Sequence, residues 1–232
     1  NGLHVPHEFF DEAMEKLRTR FLKTPEYVVT EPTPPNETPE VARKISEVAA
    51  QPAPTEIELS AEDYLNMGLA LDDGSDQEIE YYDNALRLDP HRMLAAFIYA
   101  NRALAHEKRG NTDDAIADFN EAIRIDPDDE FVYVRRGVLR KDQGDILGAF
   151  ADFDKAIQVN PQEDYPYVMR GIAQAEQGNF DAAIADFNEA IRIDPDEAFA
   201  YSSRGKAYAE QGTLNAAIAD FNEAIRIDPD DA

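Results

Sequence analysis

The sequence predicts an all-α fold, a solenoid of antiparallel helix pairs, on three observations. The first is repetition. Ala115-Ile-Ala-Asp-Phe-Asn-Glu-Ala-Ile-Arg-Ile-Asp-Pro-Asp128 returns letter for letter at 183–196 and 217–230, with a looser copy at 149–162, at a spacing of 34 residues. A fixed period of about 20–50 residues is the signature of a solenoid or array. The second is periodicity. Ala115, Phe119, Ala122 and Ile123 recur at i, i+4, i+7 and i+8, one apolar stripe on a helix. The third is punctuation. Asp126-Pro127 ends that helix, since proline cannot continue the hydrogen-bond ladder and pushes the preceding residue out of helical geometry. Gly110, Gly144, Gly178 and Gly212 fall where a preceding helix should end in a left-handed residue. Each unit therefore reads helix, glycine turn, helix, proline turn.

Small and large residues alternate in register. Gly137, Gly171 and Gly205 (Ala103 in the first regular unit) leave room for a neighbour, as do Ala115, Ala149, Ala183 and Ala217. Tyr99, Tyr133, Tyr167, Tyr201 and Phe119, Phe153, Phe187, Phe221 fill the space between. Burying one such ring is worth roughly 1.5–3 kcal/mol. One hairpin has too little core to offset its chain entropy, so stacking is obligatory.

The series Tyr133, Gly137, Gly144, Ala149, Phe153, Ala156, Pro161 resembles the tetratricopeptide repeat (TPR), in its bacterial-type 34-residue form. It recurs in register from about Leu94 to the end of the sequence. The resemblance implies a right-handed superhelix whose first helices line the concave face. Where the family often has Leu in the first helix, this chain has Arg102, Arg136, Arg170 and Arg204. A matching Asp series, Asp118, Asp152, Asp186 and Asp220, predicts a planar Arg–Asp pair within each unit.

In chain order, residues 1–23 hold an amphipathic helix outside the repeat, with Phe10, Met14, Leu17 and Phe21 on its apolar edge, readable as the end of an upstream domain. Residues 24–58 are a Pro-rich linker with seven prolines and a short helix opening at Thr38-Pro39. Residues 59–95 form a degenerate first unit with an irregular turn at Asp72–Asp76. Residues 96–232 carry four regular units, 96–129, 130–163, 164–197 and 198–231. With no polar helix following the last copy, Phe221 and Ile225 are expected to leave an apolar edge, open to self-association.

Composition excludes several function classes. The chain has no cysteine, which removes disulfides and thiolate chemistry. No apolar run approaches the roughly 18–20 residues that span a bilayer. The net charge of −26 repels phosphate backbones, so a nucleic-acid partner is not expected, and the mixed charges of the N-terminal helix argue against a membrane surface. The charge is either a solubility device or an attraction for a basic protein. The absence of a charged-then-apolar leader points to the cytoplasm. Four scattered histidines, no phosphate loop and no nucleophile–base arrangement give no catalytic, metal or cofactor site, so the chain reads as a non-enzyme without cofactors.

A residue repeated in every unit serves packing, so function falls to the variable positions of the first helices. These are Phe97, Asn101 and Leu104; Phe131, Val134, Arg135, Val138 and Lys141; Tyr165, Val168, Met169 and Ile172; Phe199, Ser202, Ser203 and Lys206. They form an apolar strip with a polar C-terminal end, suited to a partner's helix or peptide with apolar anchors. The bland alternative is that tight curvature buries some of them. Some TPR domains grip a terminal carboxylate with Lys and Asn at such positions. Here the positions hold Ala100, Leu104, Arg135, Tyr165 and Met169, and only Arg135 suits an anion. The expected function is a protein-interaction scaffold. Its rival is an oligomerising or regulatory segment of a larger signalling or effector protein.

Overall fold

The computed structural model describes residues 59–229. The expected N-terminal helix, the Pro-rich linker and the last three residues lie outside them. The described residues hold ten α-helices and no strand. They are α1 Ala61–Leu71, α2 Asp76–Arg87, α3 Arg92–Lys108, α4 Thr112–Ile125, α5 Glu130–Asp142, α6 Ile146–Val159, α7 Tyr165–Glu176, α8 Phe180–Ile193, α9 Ala198–Glu210 and α10 Leu214–Ile227. They pack as five consecutive pairs, and each second helix also packs on the first helix of the next pair. The α3 helix is long at 17 residues, which absorbs the extra residues before Gly110.

Local chemistry sets the helix ends. Gly110, Gly144, Gly178 and Gly212 adopt φ between +77° and +86°. There the Gly110 amide donates to the Glu107 carbonyl and the Asn111 amide to the His106 carbonyl, both at 2.9 Å. This double closure satisfies carbonyls a helix end would otherwise leave open. At the other turn Asp126 is extended (φ −123°, ψ 95°), as a residue before proline must be. The irregular first turn is held differently. The buried Glu78 carboxylate accepts from the Asp73 and Gly74 amides at 2.8 and 2.7 Å and from the Tyr82 hydroxyl at 3.2 Å.

The core runs along the array in three clusters. Phe119, Phe153 and Phe187 are fully buried beside Ala115, Ala149 and Ala183. A Cβ added to Gly137, Gly171 or Gly205 would lie 2.7 or 2.8 Å from the ring of Phe153, Phe187 or Phe221. Each of these three rings therefore lies close against bare helix backbone, and an added Cβ would force it to shift.

The Arg–Asp pairs form in all four regular pairs. Arg102 donates Nε and Nη2 to Asp118 at 2.8 and 2.6 Å, and Arg136–Asp152, Arg170–Asp186 and Arg204–Asp220 repeat this fork. The remaining Nη1 crosses to the preceding pair, reaching Asp83, Asn120, Asp154 and Asn188 in turn at 2.5–2.6 Å. Each guanidinium also lies 5.4–5.7 Å from the ring centre of Tyr99, Tyr133, Tyr167 or Tyr201. One side chain thus ties two helices of its own unit to the unit before it.

Candidate functional site

The variable residues sit on four first helices lying side by side. Phe97, Asn101 and Leu104 are on α3; Phe131, Val134, Arg135, Val138 and Lys141 on α5; Tyr165, Val168, Met169 and Ile172 on α7; Phe199, Ser202, Ser203 and Lys206 on α9. Consecutive first helices are linked by ion pairs across this surface. Arg135 donates to Glu107 at 2.5 Å, joining α5 to α3, and Lys141 reaches Glu176 at 3.2 Å, joining α5 to α7. Burial alone would lower the Lys141 pKa, but hydrogen bonds to Asp142 and Glu176 prevail and raise it.

The sixteen residues divide by exposure. Phe97, Tyr165 and Phe199 are 40%, 38% and 39% exposed, and Lys206 is also exposed. Phe131, Leu104, Val138, Ile172, Ser202, Arg135 and Lys141 are half-buried. Asn101, Val134, Val168, Met169 and Ser203 are buried in the packing between helices. Asn101 donates its amide to the Phe97 carbonyl at 2.7 Å, a bond within its own helix. Val134, Val168 and Met169 belong to the core cluster of the second and third regular pairs. Curvature therefore buries part of the strip, and the open surface is narrower than the variable positions suggest.

What remains is a row and a rung pattern. Phe97, Phe131, Tyr165 and Phe199 hold the same place in successive units, one ring per first helix. Two turns further along each helix come Leu104, Val138, Ile172 and Lys206. A depression of about 430 Å³ between α9 and α10 includes Phe199, Ser202 and Lys206. Sequence reasoning missed Glu107 and Glu176. Glu176 lies 35 residues from Lys141, about one array period, but Glu107 lies 28 from Arg135, and a charge in a first helix reads equally well as solvated. Arg135, the one residue suited to an anion, is committed to Glu107.

Among the described residues no group of three or more His, Asp or Glu could hold a metal ion, and no helix is long and apolar enough to cross a membrane.

Comparison with known proteins defines the class. Two family models, both described as tetratricopeptide repeat, match this chain, one over residues 134–198 and again over 168–232, the other over 96–129. The chain belongs to the tetratricopeptide repeat family, and its fold is the superhelical solenoid of that family. A stretch of 57 residues is 42% identical to the Protein SGT1 homolog of Oryza sativa subsp. japonica; it covers 25% of this chain but only 15% of that protein's length. Among solved structures, the MamA protein has a TM-score of 0.62 at 23% identity, over 73% of this chain and 92% of that one. YrrB, a TPR protein with an unusual peptide-binding site, has a TM-score of 0.58 at 21% identity, over 82% and 92%. These two likenesses are of fold. Membership of the family marks the chain as a protein-interaction scaffold.

Proposed function

We propose that the chain is a non-enzymatic cytoplasmic scaffold that holds a peptide or helix of another protein in the groove lined by its first helices. The observation that carries this is the row of rings. Phe97, Tyr165 and Phe199 are each close to two-fifths exposed, whereas the other repeated aromatics are buried or half-buried. A row of half-exposed large apolar side chains on a rigid scaffold provides anchors for a partner. The groove proposed is the exposed and half-buried part of the strip, with Val134, Val168, Met169, Asn101 and Ser203 supporting it from beneath.

The test is affinity capture from source-cell lysate, wild type beside Tyr165→Ala/Phe199→Ala, read by mass spectrometry. These positions are preferable to Val138 and Ile172, which pack partly against the core. A protein retained by wild type and lost by the variant, with helicity unchanged, supports the groove. Identical retained sets overturn it.

A second reading, self-association, has an observation of its own. Leu214, Ile218 and Ile225 on α10 are 62%, 58% and 47% exposed, while Phe221, expected beside Ile225 at this edge, is half-buried. The equivalents of the two isoleucines on α4 and α8 are half-buried.

A further inference from the structure

The charges around the ring row specify what can lie on it. The cations within the surface are largely spent on their neighbours: Arg135 on Glu107, Lys141 on Glu176 and Asp142, with Lys206 the exposed exception. The acids at the edge of the row are not. Asp129 and Glu130 immediately precede Phe131, Glu163 and Asp164 immediately precede Tyr165, and Glu197 lies two residues before Phe199. Among the described residues none of these five makes an ion pair with Lys or Arg. Asp129 and Glu197 spend one oxygen each on helix-end amides, and Glu130 accepts from the Asn160 amide at 3.4 Å. Burial, and then the charges of Asp164 and Glu130, hold the Glu163 carboxyl above its ordinary range. Burial and Asp194 do the same for Asp164. Negative charge thus stands at the start of three first helices, one or two residues before the ring of each and without an ion pair to Lys or Arg among the described residues, and an aromatic face attracts a cation in its own right.

We infer that the occupant of this groove is a basic segment of a partner protein, its Lys or Arg side chains seated between the ring row and the acidic turns, and its apolar residues on Leu104, Val138 and Ile172. The inference rests on the groove reading above and names the chemistry of its ligand. It follows from charge complementarity: a cation gains both the ring face and an unpaired carboxylate, whereas an anion would meet crowded acids and cations already paired. The net charge of −26 steers such a segment toward the protein, but the local pairing decides where it rests.

Three fluorescein-labelled peptides test this by anisotropy against the full chain: a four-fold repeat of Leu-Arg-Ala-Arg, its Glu counterpart and its Gln counterpart. The expected result is binding of the Arg peptide, no binding of the Glu peptide, and weak or no binding of the Gln peptide. Tyr165→Ala/Phe199→Ala should weaken the Arg peptide about ten-fold, a few-fold per ring. Glu163→Gln should weaken it too, whereas Asp114→Asn, which removes the same charge from α4, should not. Equal effects of Glu163→Gln and Asp114→Asn would reduce the attraction to net charge and overturn the inference. So would equal binding of the Arg and Gln peptides, but with sensitivity to ring loss that outcome leaves the groove standing. Binding unaffected by ring loss overturns both the inference and the groove. No binding by the Arg peptide overturns the inference, while lysate capture judges the groove separately.

Discussion

Arg170 illustrates the work of a single side chain in this array. It forks onto Asp186, reaches back to Asp154 and lies over Tyr167. Hydrogen bonding to Asp186 raises its pKa against the pull of burial. Asp186 is buried, so removing the guanidinium strands a carboxylate in the core. We expect Arg170→Met to cost about 3–5 kcal/mol in chemical denaturation, and Arg170→Met/Asp186→Leu to recover most of that loss. The pairing within a unit was legible from the two series in register. The reach to Asp83, Asn120, Asp154 and Asn188 was not, because it depends on how units stack. Glu163 makes an opposite prediction. Its pKa is raised in the folded chain by burial and by neighbouring carboxylates. The folded state then holds the proton better than the unfolded one, so this residue's contribution to stability falls as pH rises through the carboxylate range. Glu163→Gln should raise the melting temperature at pH 7 and leave it nearly unchanged at pH 3, by circular dichroism.

At the scale of elements, helix packing depends on bare backbone. Gly171 sits mid-helix, where alanine would ordinarily be favoured by about 1 kcal/mol. Its Cβ would lie 2.8 Å from the Phe187 ring, which is fully enclosed. Gly171→Ala should therefore destabilise by about 1–3 kcal/mol despite better helix propensity, measured by thermal unfolding. The helices and their turns were legible because proline, glycine and the apolar stripe all point to the same boundaries. The exposed part of the first-helix strip was less so. Variability separates packing from other roles, but it does not report exposure. Val168 and Met169 are adjacent and variable, yet both turn into the contact with neighbouring helices. A single helix gives its apolar face; only the stacked array decides which flank of that face is covered. The Glu78 turn was legible only as irregular, since its carboxylate acts through backbone amides that any sequence would supply.

For the whole chain, two surfaces compete for attention. The first-helix surface offers rings beside unpaired acids; α10 offers Leu214, Ile218 and Ile225. Exposed apolar residues on one helix face favour association with a second molecule. If α10 self-associates, sedimentation velocity should show mass rising with concentration into the tens of micromolar, and Leu214→Lys/Ile218→Lys should abolish the rise. A monomer throughout would set that reading aside and leave the first helices as the working surface. Fold was legible at this scale because the period was; the partner was not, because its chemistry depends on which charges remain unpaired after folding.

The most direct measurement is photo-crosslinking in the source cells with benzoylphenylalanine placed at Tyr165 or Phe199, and as a control at Leu147, an exposed residue of α6. The groove predicts a discrete adduct with another protein from 165 and 199 and none from 147. Adducts from 147 with none from the two ring positions would contradict it.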